Sequence, residues 1–124
     1  MANILLVDDD QQFRYTVKQM LSLDGHQIIE ASDGQEALSK LNAQTHLVIT
    51  DICMPNINGV DLIRQLVRQH PKLAIIGMSG GQRVLSSDFS LASARSVGAH
   101  HLLKKPFRMQ ELRTLVNQAL TEGR

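Results

Sequence analysis

The sequence predicts an α/β domain in which five β-α units, (βα)5, wind a parallel five-stranded sheet with helices on both faces, a doubly wound arrangement. Short apolar runs alternate with longer stretches whose apolar residues recur at helical spacing, and that alternation is the mark of parallel strands joined by crossover helices. Several of the runs are apolar at every position rather than at every second one, as expected of strands covered on both sides. The length of 124 residues fits one domain with a single core of respectable size.

The first strand is Ile4-Leu5-Leu6-Val7, followed by Asp8-Asp9-Asp10. Phe13, Val17, Met20 and Leu21 then fall on one helical face, and Asp24-Gly25 supplies a stop. Residues 26–31 carry Ile28-Ile29, a second strand, and Ser32-Asp33-Gly34 turns into a helix with Ala37, Leu38 and Leu41 inward. Leu47-Val48-Ile49 leads into Asp51, after which Met54-Pro55 and Asn58-Gly59 are turn chemistry. Val60, Ile63, Leu66 and Val67 mark a helix that stops before His70-Pro71. Residues 73–78 form the fourth strand, ending at Ser79. A polar loop over residues 80–87 precedes a weaker helix with Phe89, Leu91, Ala92 and Val97. His101-Leu102-Leu103 is the fifth strand, ending in Lys104-Lys105-Pro106, and the last helix carries Met109, Leu112, Val116 and Leu120.

Composition excludes several classes of function. A formal net charge of +1 sets up no global field toward nucleic acid or an acidic membrane. Aromatic content of 3% with no Trp argues against stacking platforms for single strands or RNA. Cys53 is the single cysteine, so no intramolecular disulfide forms. No segment approaches the ~18 apolar residues of a membrane span, and no basic stretch precedes an apolar one at the N-terminus, so the expected compartment is the cytoplasm. Met1 and the polar tail 121–124 read as the ends of a complete small protein, one domain over residues 1–124, although an excised domain would look similar. His26, His46, His70, His100 and His101 have no metal-cage spacing and read as surface or edge residues.

In open α/β sheets ligands collect beyond the carboxyl ends of the strands. The predicted strands deliver Asp8-Asp9, Asp51, Ser79 and Lys105 there, while the second strand delivers nothing comparable, as expected at an edge. A single Asp ending a strand more often caps the next helix. Converging carboxylates, however, repel one another unless a cation joins them. Oxygen ligands with room for water suit Mg²⁺, with Asp9 and Asp51 direct, Asp8 through water and the Cys53 backbone carbonyl as a third protein ligand. Asp10 is the acid expected to serve only the following helix. A carboxylate beside Mg²⁺ can attack phosphorus to give an acyl phosphate, with the Lys105 ammonium and the Ser79 hydroxyl on the remaining oxygens.

The motifs Ile4-Leu5-Leu6-Val7-Asp8-Asp9, Asp51 with Met54-Pro55 and Gly59, Ser79-Gly80 and Lys105-Pro106-Phe107 run nearly the full length. As an ordered set they resemble the response-regulator receiver domain, the CheY-like phosphoacceptor module of two-component signalling. The resemblance implies the flavodoxin-like strand order 2-1-3-4-5. It implies that Asp51 accepts a phosphoryl group from a sensor histidine kinase or a histidine phosphotransfer protein, and that Asp8, Asp9, Asp51 and Cys53 organise Mg²⁺. Ser79 and Lys105 complete the catalytic set, Lys105 rather than Lys104 because it directly precedes the proline, and the Lys105–Pro106 bond is expected to be cis. Output is expected through the surface of the fourth and fifth predicted helices and the fifth strand, toward a downstream protein target or onward phosphotransfer. No direct nucleic-acid contact is expected, because nothing basic or aromatic here reads DNA. The expected state is a monomer or weak dimer.

Two features depart from the family pattern. The switch aromatic, three residues before the lysine, is replaced by Leu102, which puts an aromatic-flip switch in doubt. The Gly-led stretch of residues 80–88 is longer than the usual connection and is read as shaping partner choice or moving on phosphorylation. Three rivals stand beside the receiver, one of them a fragment of a larger regulator whose DNA-binding or enzymatic output domain is missing. A haloacid-dehalogenase-type phosphatase needs a second acid two residues after its nucleophile, where this chain has Cys53. A binding module that keeps the fold and never takes phosphate would lack some of the chemical positions, all of which are filled here.

Overall fold

The computed structural model describes residues 2–52, 59–79, 98–99 and 101–122. Nine elements follow in order: β1 (Asn3–Val7), α1 (Gln11–Leu23), β2 (Gln27–Ala31), α2 (Gly34–Lys40), β3 (Leu47–Asp51), α3 (Gly59–Gln69), β4 (Ala74–Ser79), β5 (His101–Lys104) and α4 (Met109–Glu122). The strands form one parallel sheet in the order β2-β1-β3-β4-β5. This is the doubly wound, flavodoxin-like fold that the sequence predicts. The loop and helix expected over residues 80–97 lie outside the described residues, so the C-terminal helix is α4 here. No helix among the described residues is long and apolar enough to cross a membrane.

The apolar runs work as two interleaved sets, because successive strand residues point to opposite faces. Ile4, Leu6, Leu47, Ile49, Ile76 and Met78 pack with Val17, Met20 and Leu21 of α1 and Leu112, Val116 and Ala119 of α4. Leu5, Val7, Val48 and Ile75 pack on the other face with Ala37 of α2 and Leu62, Ile63 and Leu66 of α3. Both faces being covered, β1, β3 and β4 cannot alternate in polarity. Gln27–Ala31 can: β2 lies at the edge, and Gln27 and Ile29 are exposed.

Local chemistry places the helix ends. The Asp10 carboxylate accepts the Gln12 and Phe13 backbone N–H groups, each at 3.1 Å, and so caps α1. At the other end Gly25 adopts φ +91°, where the Gly25 and His26 N–H groups reach the Ser22 and Leu21 carbonyls. Asp33 caps α2 through the Glu36 N–H at 2.7 Å, and the Glu36 carboxylate returns to the Ser32 N–H at 2.6 Å.

One expectation is corrected. His101, read as a surface or edge residue, is on the edge strand but only 6% exposed. Alternation along β5 puts it on the face of Leu103, which joins the core beneath α4, while Leu102 points to the opposite face.

Candidate functional site

Parallel pairing carries four strand ends to one edge of the sheet. Val7 lies beside Thr50, Asp51 beside Met78, and Ser79 beside Lys104. Just past β1 the Asp8 N–H still donates to Ala31 at 3.1 Å, so its carboxylate begins from a fixed backbone. Past β3 the Ile52 N–H donates to Met78 at 2.8 Å, and past β4 the Lys105 N–H donates to the Ser79 carbonyl at 2.6 Å. The Lys105–Pro106 peptide is cis, as the resemblance implied.

Asp8, Asp9 and Asp51 thereby bring carboxylate oxygens within 4.8 Å of one another. Asp8 and Asp51 are buried and Asp9 is exposed. Lys105 Nζ lies 2.7 Å from Asp8 Oδ2 and 3.8 Å from Asp51 Oδ2. Among the described residues the Lys105 ammonium stands between two of these three carboxylates, and the donors of the cluster are all hard oxygens. The residues present therefore fit a divalent cation of the Mg²⁺ type. Asp10, whose carboxylate caps α1, stands apart from the cluster as expected, and its N–H donates to Asp8 Oδ1 at 2.9 Å.

Ser79 is fully buried at the same edge, and its Oγ has no hydrogen-bond partner among the described residues. A buried hydroxyl is ordinarily satisfied, and Ser79 Oγ is a donor at this edge that no described residue uses. Cys53 and Gly80, which the sequence also ties to this site, lie outside the described residues.

Several supporting groups are visible only in three dimensions. Lys105 Nζ sits 4.1 Å from the centroid of the Phe13 ring, and Phe107 meets Phe13 edge-on at 5.9 Å and 84°. A cation against an aromatic face is held as well as packed, so Phe13 and Phe107 restrict the ammonium. In the sequence Phe13 is visible only as part of an apolar stripe. Arg14 Nη1 donates to the Asp8 carbonyl, and the sequence reading gave it no role. A Cβ on Gly59 would overlap the Asp51 carbonyl and Ile52 Cα, so α3 can begin against β3 only through a glycine. On the same face as α3, Leu102 lies across bare Gly77, where an added Cβ would stand 3.3 Å from Leu102 Cδ2 and 3.2 Å from Ile52 Cδ1.

The profile of the response regulator receiver domain matches residues 4–117. The chain belongs to that family. It is a receiver domain of two-component signalling, with CheY-like architecture. Among curated proteins, this receiver is 34% identical over 112 residues to the transcriptional regulatory protein CpxR of Escherichia coli, covering 90% of this chain and 46% of CpxR. It is 28% identical over 121 residues to the response regulator SaeR of Staphylococcus aureus, covering 98% of this chain and 51% of SaeR. The chain thus spans about half the length of these curated relatives. Among solved structures, the receiver domain of NtrX from Brucella abortus superposes with a TM-score of 0.88 at 31% identity, covering 97% of this chain and 99% of that one. A receiver domain protein from Clostridium thermocellum gives 0.88 at 29% identity, covering 98% and 95%.

Proposed function

We propose that this receiver domain accepts a phosphoryl group on Asp51, in a Mg²⁺-dependent reaction, from a sensor histidine kinase or a histidine phosphotransfer protein. The observation that carries the reading is the meeting, at neighbouring strand ends, of three carboxylates, the Lys105 ammonium and a buried Ser79 hydroxyl that has no partner among the described residues. An Asp51 carboxylate oxygen forms the new O–P bond while the P–N bond to the donor imidazole breaks, and the imidazole nitrogen keeps the electron pair. Lys105, already between Asp8 and Asp51, moves its ammonium toward a phosphoryl oxygen, and the Ser79 O–H donates to another. Asp9, Asp51 and the Cys53 carbonyl would hold Mg²⁺, with Asp8 acting through water. The bound ion supplies neutralisation of charge on the transferring group.

The new charge and acceptor oxygens on Asp51 reward a state in which Ser79 is engaged, and that bias is transmitted to the surface around β5 and the C-terminal helix. A downstream protein target or onward phosphotransfer reads that surface, with no direct nucleic-acid or membrane contact. The domain is a cytoplasmic monomer or weak dimer and not a dedicated enzyme: it catalyses only its own phosphorylation and the loss of the phosphoryl group.

Intact mass after incubation with acetyl phosphate and Mg²⁺ tests the reading, with Asp51→Asn alongside. The expected result is a single phosphoryl adduct that requires Mg²⁺ and is absent from the variant. A folded, Mg²⁺-binding protein that takes no phosphoryl group from acetyl phosphate or from a histidine donor would overturn it in favour of a phosphate-independent binding module.

A further inference from the structure

The Asp8–Asp9 peptide is where the chain leaves β1 and turns toward α1, and the orientation of that peptide sets the direction in which Asp9 departs. Asp9 is exposed, and its backbone continues directly from this peptide. The carbonyl of this peptide is bonded by Arg14 Nη1 from one turn into α1. The same guanidinium uses Nε on Glu30 Oε1 at 3.1 Å, and its side chain is only 12% exposed. Glu30 sits on β2 beside Leu6, and its second oxygen is taken by Lys18 at 3.4 Å. One planar fork therefore ties the turn carrying the acids to the edge strand and to α1. Glu30 also offsets the Arg14 charge, so the tie does not simply oppose a cation at the acidic cluster.

We propose that Arg14, anchored by Glu30, is a positioning residue that fixes the Asp8–Asp9 peptide and so aims the Asp9 carboxylate for divalent-cation binding. The proposal rests on the reading of the acidic cluster as a Mg²⁺ site. Its sign separates it from plain electrostatics. Removing a nearby positive charge would by itself tighten cation binding, whereas removing a positioning fork weakens it.

The test is calorimetric titration of the whole chain with Mg²⁺, joined to amide hydrogen exchange on the metal-free protein. Arg14→Met keeps the apolar stem and loses the fork. It is expected to weaken Mg²⁺ about tenfold, in line with the loss of outer-shell support at metal sites, and to speed exchange of the Asp10 amide. Glu30→Gln is expected to weaken binding in the same direction, and the double variant to lose no more than Arg14→Met alone, because the two act as one unit. Arg14→Lys keeps charge and stem without the fork, and is expected to recover only part of the affinity. Should Arg14→Met not fold, Arg14→Lys against wild type carries the same comparison. Equal or tighter Mg²⁺ binding in a folded Arg14 variant overturns the proposal alone. A wild-type protein that binds no Mg²⁺ overturns the reading of the site, and this proposal with it.

Discussion

Ser79 buries a hydroxyl with no partner among the described residues, and an unsatisfied buried group of this kind costs about 1–3 kcal/mol. Ser79→Ala removes the group and leaves almost the same volume. It is expected to raise unfolding stability by about 1 kcal/mol in the metal-free protein, measured by urea denaturation, while slowing phosphoryl uptake from acetyl phosphate. A loss of stability would mean that the hydroxyl has a structural partner. Gly59 makes the opposite case, since it is needed by the fold itself. A methyl group there meets backbone atoms of Asp51 and Ile52, which cannot rotate away. Gly59→Ala is expected to destabilise by about 1–3 kcal/mol, read in the same denaturation experiment. The need for glycine was visible in the sequence only as part of a family motif, because the close approach joins positions on two different elements.

At the scale of elements, the start of β1 is closed by two imidazoles. His26 Nδ1 accepts the Ala2 N–H at 3.0 Å, and His46 Nδ1 accepts the Asn3 N–H at 2.9 Å. An acceptor nitrogen must be unprotonated, so the Ala2 bond needs a neutral His26 ring. Burial, followed by the positive chain terminus, lowers the pKa of His26 below its ordinary 6.5, and Asp24 partly opposes the shift. As pH falls, the unfolded chain takes up this proton first. The His26 contribution to stability is therefore complete above pH 6.5 and is lost as pH falls through the lower folded value. Melting temperature is expected to fall as pH is lowered through and below 6.5, and less steeply in His26→Gln, whose side-chain oxygen can accept without titrating. Equal slopes in the two proteins would remove His26 from the account. His26 and His46 had no visible role in the sequence, because each takes its N–H partner from a distant part of the chain.

For the whole molecule, the clustering of acids at one end of the sheet couples ion binding to folding. The unfolded chain separates Asp8 and Asp9 from Asp51 and binds a divalent ion poorly, so Mg²⁺ is expected to raise the melting temperature. At a free concentration ten times Kd the gain is about 1.4 kcal/mol, and Asp51→Asn is expected to lose most of the Mg²⁺ dependence. Scanning calorimetry with and without the ion checks this, and an equal shift in the variant would place the ion elsewhere.

The amino-acid sequence by itself determined the order of elements, the two-sided burial of β1, β3 and β4, and the identity of the acids at their ends. Those are local properties: an apolar run and the polar residue that ends it are neighbours in the chain. Strand order came with the family resemblance, since periodicity alone does not say which strands pair. Only the tertiary structure decided that Lys105 would rest on Phe13, that His101 would be buried at an edge, and that Arg14 would hold the Asp8 carbonyl. Each of these depends on how a helix docks on the sheet. Docking is set by the summed packing of both core faces, so no short stretch of sequence carries it.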